Sequence, residues 1–355
     1  MTHSKLLTFC SVALLTVASA AQAKKIDPVS FRPEKAPAMV GPYAPNDRLA
    51  SAERLGGGLL QGPEEIALDS NGFIYTGTAD GTVKKIDRDG AVETFAVTGG
   101  HPLGLDFDLA GNLIVCEPYS GLLSISPEGQ VTTLVTEFNG KKLGLVDDVK
   151  VAKDGRFYFT EASTKYTLAQ YQLDFLEARP NGRLFRFDPL TGQTELLLDQ
   201  LYFANGVALS ASEDFLIVAE TSRYRLTRLW LQGPRAGERE IFLDNLPGLP
   251  DTISSNKEGR IWVAYFSVRD RLIDGLQPYP WVKGFLAKLP TRLLPKPKSY
   301  SFVVAYDENG QVVENLQDPT GKNIGNITSV EEFQGELYMG SLGGDAIGVI
   351  KLQAP

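Results

Sequence analysis

The sequence predicts an all-β fold, a six-bladed β-propeller with helical lid insertions. Three observations predict it. Six segments share one pattern, apolar residues alternate with period two inside each, and a Gly or Asp-Gly turn follows at a near-constant distance. The segments begin at Glu64, Leu103, Asp147, Asn205, Asp251 and Thr328. In four of them the turn glycine (Gly72, Gly111, Gly155, Gly259) lies eight residues on; the fourth segment is one residue longer and the sixth one shorter. Outer hairpins follow several, as in Gly81–Ile86 before Asp89-Gly90 and Gly121–Ser126 before Glu128-Gly129. Four strands repeated six times make radial blades around a channel. A β-sandwich would not explain six copies at such similar spacing.

The elements can be justified in chain order. Residues 1–23 read as a secretory signal: Lys5, an apolar run from Leu6 to Ala18, then small residues ending in Ala23. The run falls short of the roughly 20 apolar residues that span a bilayer, and no later stretch is a candidate. The expectation is an exported protein, periplasmic or secreted, beginning at Lys24 and without a transmembrane span. Residues 24–48 are Pro-rich and polar, an extended arm. The propeller occupies 49–355, with residues near Leu49–Leu55 offering the strand that closes the ring. Two insertions interrupt the spacing. Residues 164–181 carry Leu168, Tyr171, Leu173 and Leu176, a helical apolar face. Residues 264–299 carry Trp281, Phe285 and several prolines. Insertions of this length serve as lids or as packing elements.

Composition narrows the function. The chain has a net charge of -8, and no basic cluster is left to pair phosphates, which argues against a nucleic-acid partner. Cys10 goes with the signal, so Cys116 is alone and no intramolecular disulfide forms. Its setting, Leu113-Ile-Val-Cys116, favours a buried thiol over a nucleophile.

Equivalent positions of a closed ring converge on its axis. The six segment starts therefore bring the oxygens of Glu64, Asp147, Asn205 and Asp251 toward one point, with Leu103 and Thr328 completing the circle. Three carboxylates in a narrow channel repel without a counter-charge. Calcium accepts carboxylate and amide oxygens in flexible geometry, whereas zinc would want Cys or His. A wet channel that merely tolerates polar residues is the other reading of the same positions.

Several segments carry a resemblance: Gly62-Pro-Glu-Glu-Ile-Ala-Leu68, Pro102-Leu-Gly-Leu105, Phe203-Ala-Asn-Gly-Val-Ala-Leu-Ser210, Val218-Ala-Glu-Thr221 with Tyr224-Arg225, and Phe242 through Asp251. Over Leu55 to Leu352 the chain resembles the strictosidine synthase-like and adipocyte plasma membrane-associated proteins, relatives of paraoxonases and gluconolactonases. The resemblance implies calcium ligands at Glu64, Asp147, Asn205 and Asp251. It implies a second, structural calcium at Glu65, Asp148 and the Leu105 carbonyl, against which stands pairing with arginine or exposure to solvent. Strictosidine synthase carries its catalytic glutamate where this chain has Thr328, which argues against amine–aldehyde condensation. Paraoxonases carry a histidine where this chain has Leu103.

His101, two residues earlier and in phase with Leu103, is a candidate base or substrate donor; a structural, hydrogen-bonded histidine is the alternative. Glu117, Glu161 and Glu220 follow the second strand of their blades and read as solvated or structural. The expected activity is calcium-dependent hydrolysis of a small lactone or other ester, with Asp251 activating water or attacking directly. A non-catalytic ligand-binding propeller with a structural calcium is the alternative.

Overall fold

The structure, a computed structural model, describes residues 26–290 and 293–352, so the signal segment lies outside the described residues. Six four-stranded antiparallel sheets form the blades. Blade I comprises Ile66–Leu68, Ile74–Thr78, Thr82–Ile86 and Val92–Val97, and blade II Leu105–Phe107, Leu113–Glu117, Gly121–Ile125 and Val131–Val135. Blade III comprises Leu145–Val151, Phe157–Ser163, Gly182–Asp188 and Gln193–Leu201, and blade IV Ala204–Leu209, Phe215–Glu220, Arg225–Trp230 and Arg239–Leu243. Blade V comprises Gly248–Ser255, Arg260–Val268, Ser301–Asp307 and Val312–Asp318. Blade VI takes three strands from the C-terminal end, Ser329–Phe333, Glu336–Gly340 and Ile347–Lys351, and its outermost from the N-terminal side, Glu53–Leu55. Pairing of Glu53 with Val349 and Leu55 with Ile347 closes the ring, as the sequence predicts; Arg48–Ser51 is instead a 3-10 turn.

The core is distributed as apolar layers between adjacent blades. Cys116 is fully buried among Ile114, Val149, Phe159 and Phe185, at the face between blades II and III. Ile217, Ile253, Tyr265 and Val304 fill the equivalent space between blades IV and V. Each layer removes branched and aromatic side chains from water, at about 25 cal/mol per Å² of apolar surface. Gly104 and Gly206 mark where the layers narrow near the axis. A Cβ on Gly104 would stand 2.4 Å from Asp148 Cα, and one on Gly206 2.3 Å from Ile253 N.

The first insertion falls at 164–181 as expected, with a 3-10 turn at Leu168–Gln170 and helix α1 at Tyr171–Glu177. The second begins later than the sequence suggests. The second strand of blade V runs on to Val268, because Ala264 still pairs with Val303, so the insertion starts at Arg269. It carries helices α2 (Arg271–Leu276) and α3 (Pro280–Leu286), and α1 packs against α3. The arm laces the two insertions together. Asp27 N and Val29 N donate to Glu177 at the end of α1, Phe31 N donates to the Gln277 carbonyl after α2, and the buried Lys283 of α3 donates to the Val29 carbonyl.

Candidate functional site

All six predicted positions come together. Glu64, Leu103, Asp147, Asn205, Asp251 and Thr328 line one cavity on the axis, roofed by Leu168, Tyr171 and Phe175 from the first insertion. The local reason is a repeated β-bulge. In blade III, Val146 pairs with Glu161 and Val149 with Phe159, so Asp147 and Asp148 together face Thr160. In blade IV, Asn205 and Gly206 together face Ala219; in blade V, Asp251 and Thr252 together face Ala264. A bulge leaves residues off the ladder and re-aims them. Here it frees one residue toward the axis and sends the next toward the neighbouring blade.

Neighbouring hydrogen bonds hold the ring's backbone. Thr328 Oγ1 donates to the Glu64 carbonyl (2.8 Å), Thr160 Oγ1 to the Asn205 carbonyl (2.7 Å), and Gly104 N to the Asp147 carbonyl (2.7 Å). The backbone is thus satisfied while the side chains are not: Glu64 Oε2 and Asn205 Oδ1 are buried without a hydrogen-bond partner.

Burial, then repulsion from Asp147 and Asp251, push the Glu64 carboxyl well above the ordinary range. Burial does the same to Asp147, with Asp251 next in weight. Asp251 is pushed by burial to about 8, against a lowering contribution from the Asn205 amide. Among the described residues no three Asp, Glu, His or Cys side chains close into a finished cage. The donor set nonetheless fits a hard cation: three carboxylates, one amide oxygen, two orphaned buried oxygens and no sulfur or imidazole.

One step further along the innermost strands the answer is different. Lys150 Nζ lies 2.6 Å from Glu65 Oε1 and 3.0 Å from Asp148 Oδ1. Asp106 and Glu331 also act on this ammonium, and the four carboxylates hold its proton well above the usual lysine range against burial. Asp148 Oδ2 is taken by Val207 N of blade IV at 2.8 Å. The expectation of a second calcium at Glu65, Asp148 and Leu105 does not fit this arrangement, because an ammonium already supplies the positive charge there. Lys150, Asp106 and Glu331 each stand three residues after a ring position, on the same strand face as Glu65 and Asp148 one residue after it; alternation groups them on that face, and the packing of the blades brings them together.

His101 is also placed differently from the expectation of a base at the channel mouth. It is absent from the channel wall and lines a neighbouring depression with Asp80, Tyr119 and Leu168. Its Nε2 lies 3.0 Å from the Gly62 carbonyl, and burial lowers its pKa. A neutral ring donating to that carbonyl is the structural role. Of the solvated and structural roles expected for Glu117, Glu161 and Glu220, the structural one holds, since all three are buried. Glu117 accepts from Tyr119 N, Glu161 from Gly144 N and Arg183, and Glu220 from Tyr202 N and Arg225.

A second cavity, of about 110 Å³, adjoins the channel mouth and is mainly apolar. Tyr171, Phe175, Thr221 and Phe266 line both, so the two spaces share a wall. Ile273, Leu276 and Leu286 of the second insertion close its far side.

Fold and site together define a six-bladed propeller with an acid-lined axial channel under a helical lid. The strictosidine synthase family profile matches residues 147–234, and the strictosidine synthase-like N-terminal profile residues 41–86. The adipocyte plasma membrane-associated protein of Rattus norvegicus is 35% identical over 93% of this chain and 93% of its own. Strictosidine synthase-like protein 6 of Arabidopsis thaliana is 36% identical over 96% and 93%. The chain belongs to this family of strictosidine synthase-like and adipocyte plasma membrane-associated proteins. Among solved structures, a gluconolactonase from Xanthomonas campestris shares the fold at a TM-score of 0.64 and 19% identity, covering 86% of this chain and 91% of that one. Regucalcin, a calcium-binding protein from Agrobacterium tumefaciens, does so at 0.58 and 13%, covering 84% and 93%.

Proposed function

We propose that this protein is a calcium-dependent hydrolase of a lactone or other ester, acting in the channel under the lid. The observation that carries the reading is the convergence of Glu64, Asp147, Asn205 and Asp251 from four blades, with two buried oxygens left unpartnered. The gluconolactonase and calcium-binding names among the fold neighbours support it. The four residues would hold the ion; when bound, calcium polarises a carbonyl and stabilises negative charge developing on its oxygen.

The chain's own residues supply the rest. Asp251, beside the Asn205 amide, would accept a proton from an attacking water or attack directly. Leu103, Phe203, Tyr171 and Phe175 surround the ring with apolar surface, which keeps bulk water out and strengthens every charge interaction inside. The adjoining cavity gives an apolar substituent of the substrate somewhere to lie. His101 has no part in this reading. Amine–aldehyde condensation is not proposed, because Thr328 stands at the corresponding position and its hydroxyl is engaged by the Glu64 carbonyl.

The test is turnover of a panel of lactones and aryl esters with and without a chelator, alongside calorimetric calcium titration. Calcium binding with metal-dependent turnover is expected. If calcium binds without turnover of any ester, the protein is a ligand-binding propeller with a structural ion. If neither occurs, the channel reading is wrong.

A further inference from the structure

The second insertion is apolar on both sides. Inward, Ile273, Leu276 and Leu286 line the cavity beside the channel. Outward, Leu272, Tyr279, Trp281 and Phe285 are exposed, Trp281 by 76% and Phe285 by 60%. Scattered single apolar residues are ordinary on a protein surface, but a run of them on adjoining helices marks a surface that meets something.

Among the described residues of the insertion, the exposed charges have one sign. Arg271, Lys288, Lys296 and Lys298 are exposed. Both acids of the 270–298 stretch are engaged: Asp270 caps α2 through Leu272 N and Ile273 N, and Asp274 is held by Arg269 and the Tyr224 hydroxyl. In the arm threaded alongside, Asp27 pairs with Arg179, and Glu34 lies between Arg32 and Lys35 in sequence. A basic-rimmed apolar face thus stands on a chain whose net charge is -8.

We propose that this face docks onto the surface of an anionic lipid bilayer, with Trp281, Phe285 and Leu272 entering the headgroup region and the lysines meeting lipid phosphates. Tryptophan and tyrosine favour that boundary, and basic residues near it are attracted by the surface potential. The contact is interfacial, since α2 and α3 are six and seven residues long and neither can span. A second copy of the chain is a poorer occupant, because a twofold interface would set one basic rim against another. The proposal does not rest on the hydrolase reading. It does place the apolar cavity directly beneath the docked helices, on the inner side of the same residues' helices.

The experiment uses the full purified chain with vesicles of phosphatidylglycerol and phosphatidylcholine, and with vesicles of phosphatidylcholine alone. Co-sedimentation gives partitioning, and tryptophan emission reports the contact, because Trp262 is fully buried and Trp230 partly so, leaving Trp281 as the exposed indole. Binding to the anionic vesicles with a blue shift, weakened by high salt, is expected. Trp281→Ser with Phe285→Ser should cut partitioning at least about tenfold, and Lys288→Glu with Lys296→Glu by a similar factor. All four positions are exposed, so melting temperatures should stay at the wild-type value. Absence of binding to anionic vesicles overturns the proposal, as does undiminished binding by both double variants. So does light scattering that shows a dimer which these substitutions dissociate.

Discussion

The upper and lower stretches of the same innermost strands resolve one problem in opposite ways. At the upper ring, Glu64, Asp147 and Asp251 are buried together with only an amide for company. One to three residues along, Glu65, Asp148, Asp106 and Glu331 surround Lys150, and the cluster carries its own counter-charge. A buried charge pair is retained when each member is satisfied by the other. The lower cluster is complete in the polypeptide, whereas the upper ring is left to be completed by a ligand.

Several measurements would break or sharpen that contrast. The largest effect is expected from Asp251→Ala, which should abolish ester turnover and weaken calcium binding, with no rescue by excess calcium. Glu64→Gln keeps an oxygen and should instead be partly rescued, as read by kcat/KM across a calcium titration. Equal behaviour of the two variants would remove the separate role given to Asp251.

Next in size is Lys150→Met, which strands the lower carboxylates. Breaking a buried pair from one side costs about 3–5 kcal/mol, to be measured by denaturant unfolding. Adding Glu65→Gln should recover part of the loss. A Lys150→Met variant as stable as wild type would mean that the ammonium is not the lower cluster's counter-charge.

Smaller and opposite in sign to ordinary acid denaturation is the pH response of the chelated protein. Asp251 rises from 3.8 to about 8 on folding, so folding favours its protonated form. That contribution is full below about pH 4 and is lost as pH rises through 8. The melting temperature without metal should fall across this window, and calcium should flatten the curve. A flat curve in chelator would show that the upper ring is not under charge strain.

The smallest effect is expected from His101→Gln. It lies off the channel wall, so turnover should stay within a fewfold of wild type, whereas a true base would lose roughly 10²–10⁴.

The blades were legible because hairpin periodicity and turn glycines are local, and a ring follows from counting them. The closing strand and the convergence of Glu64, Asp147, Asn205 and Asp251 followed from the same count, since equivalent positions in a ring must meet. The partners of Glu65 and Asp148 were not legible. Alternation puts Lys150 on the same strand face as Asp148, but which charges of the other blades meet it there is set by how the blades pack, which no local pattern shows. The only local hint was small residues just after the ring positions, Gly104 and Gly206, where adjacent blades come closest. His101 was misplaced because it lies in the loop before the strand Leu105–Phe107, where strand alternation does not apply. The start of the second insertion was obscured because Ala264–Val268 continues a strand with no turn residue to punctuate it.

The seam between Glu53–Leu55 and Ile347–Lys351 has a consequence for how the molecule comes into being. Residues 26–55 are made early, yet their partners emerge later: Glu177, then Gln277 and Lys283, and finally the strand at Ile347. The arm can therefore be fastened only stepwise, each point waiting for a partner made much later. Through most of translation the leading segment is an unpaired edge looking for a mate, and the architecture cannot be completed by a nascent chain still lacking its tail. Contacts this distant in sequence also make for slow closure.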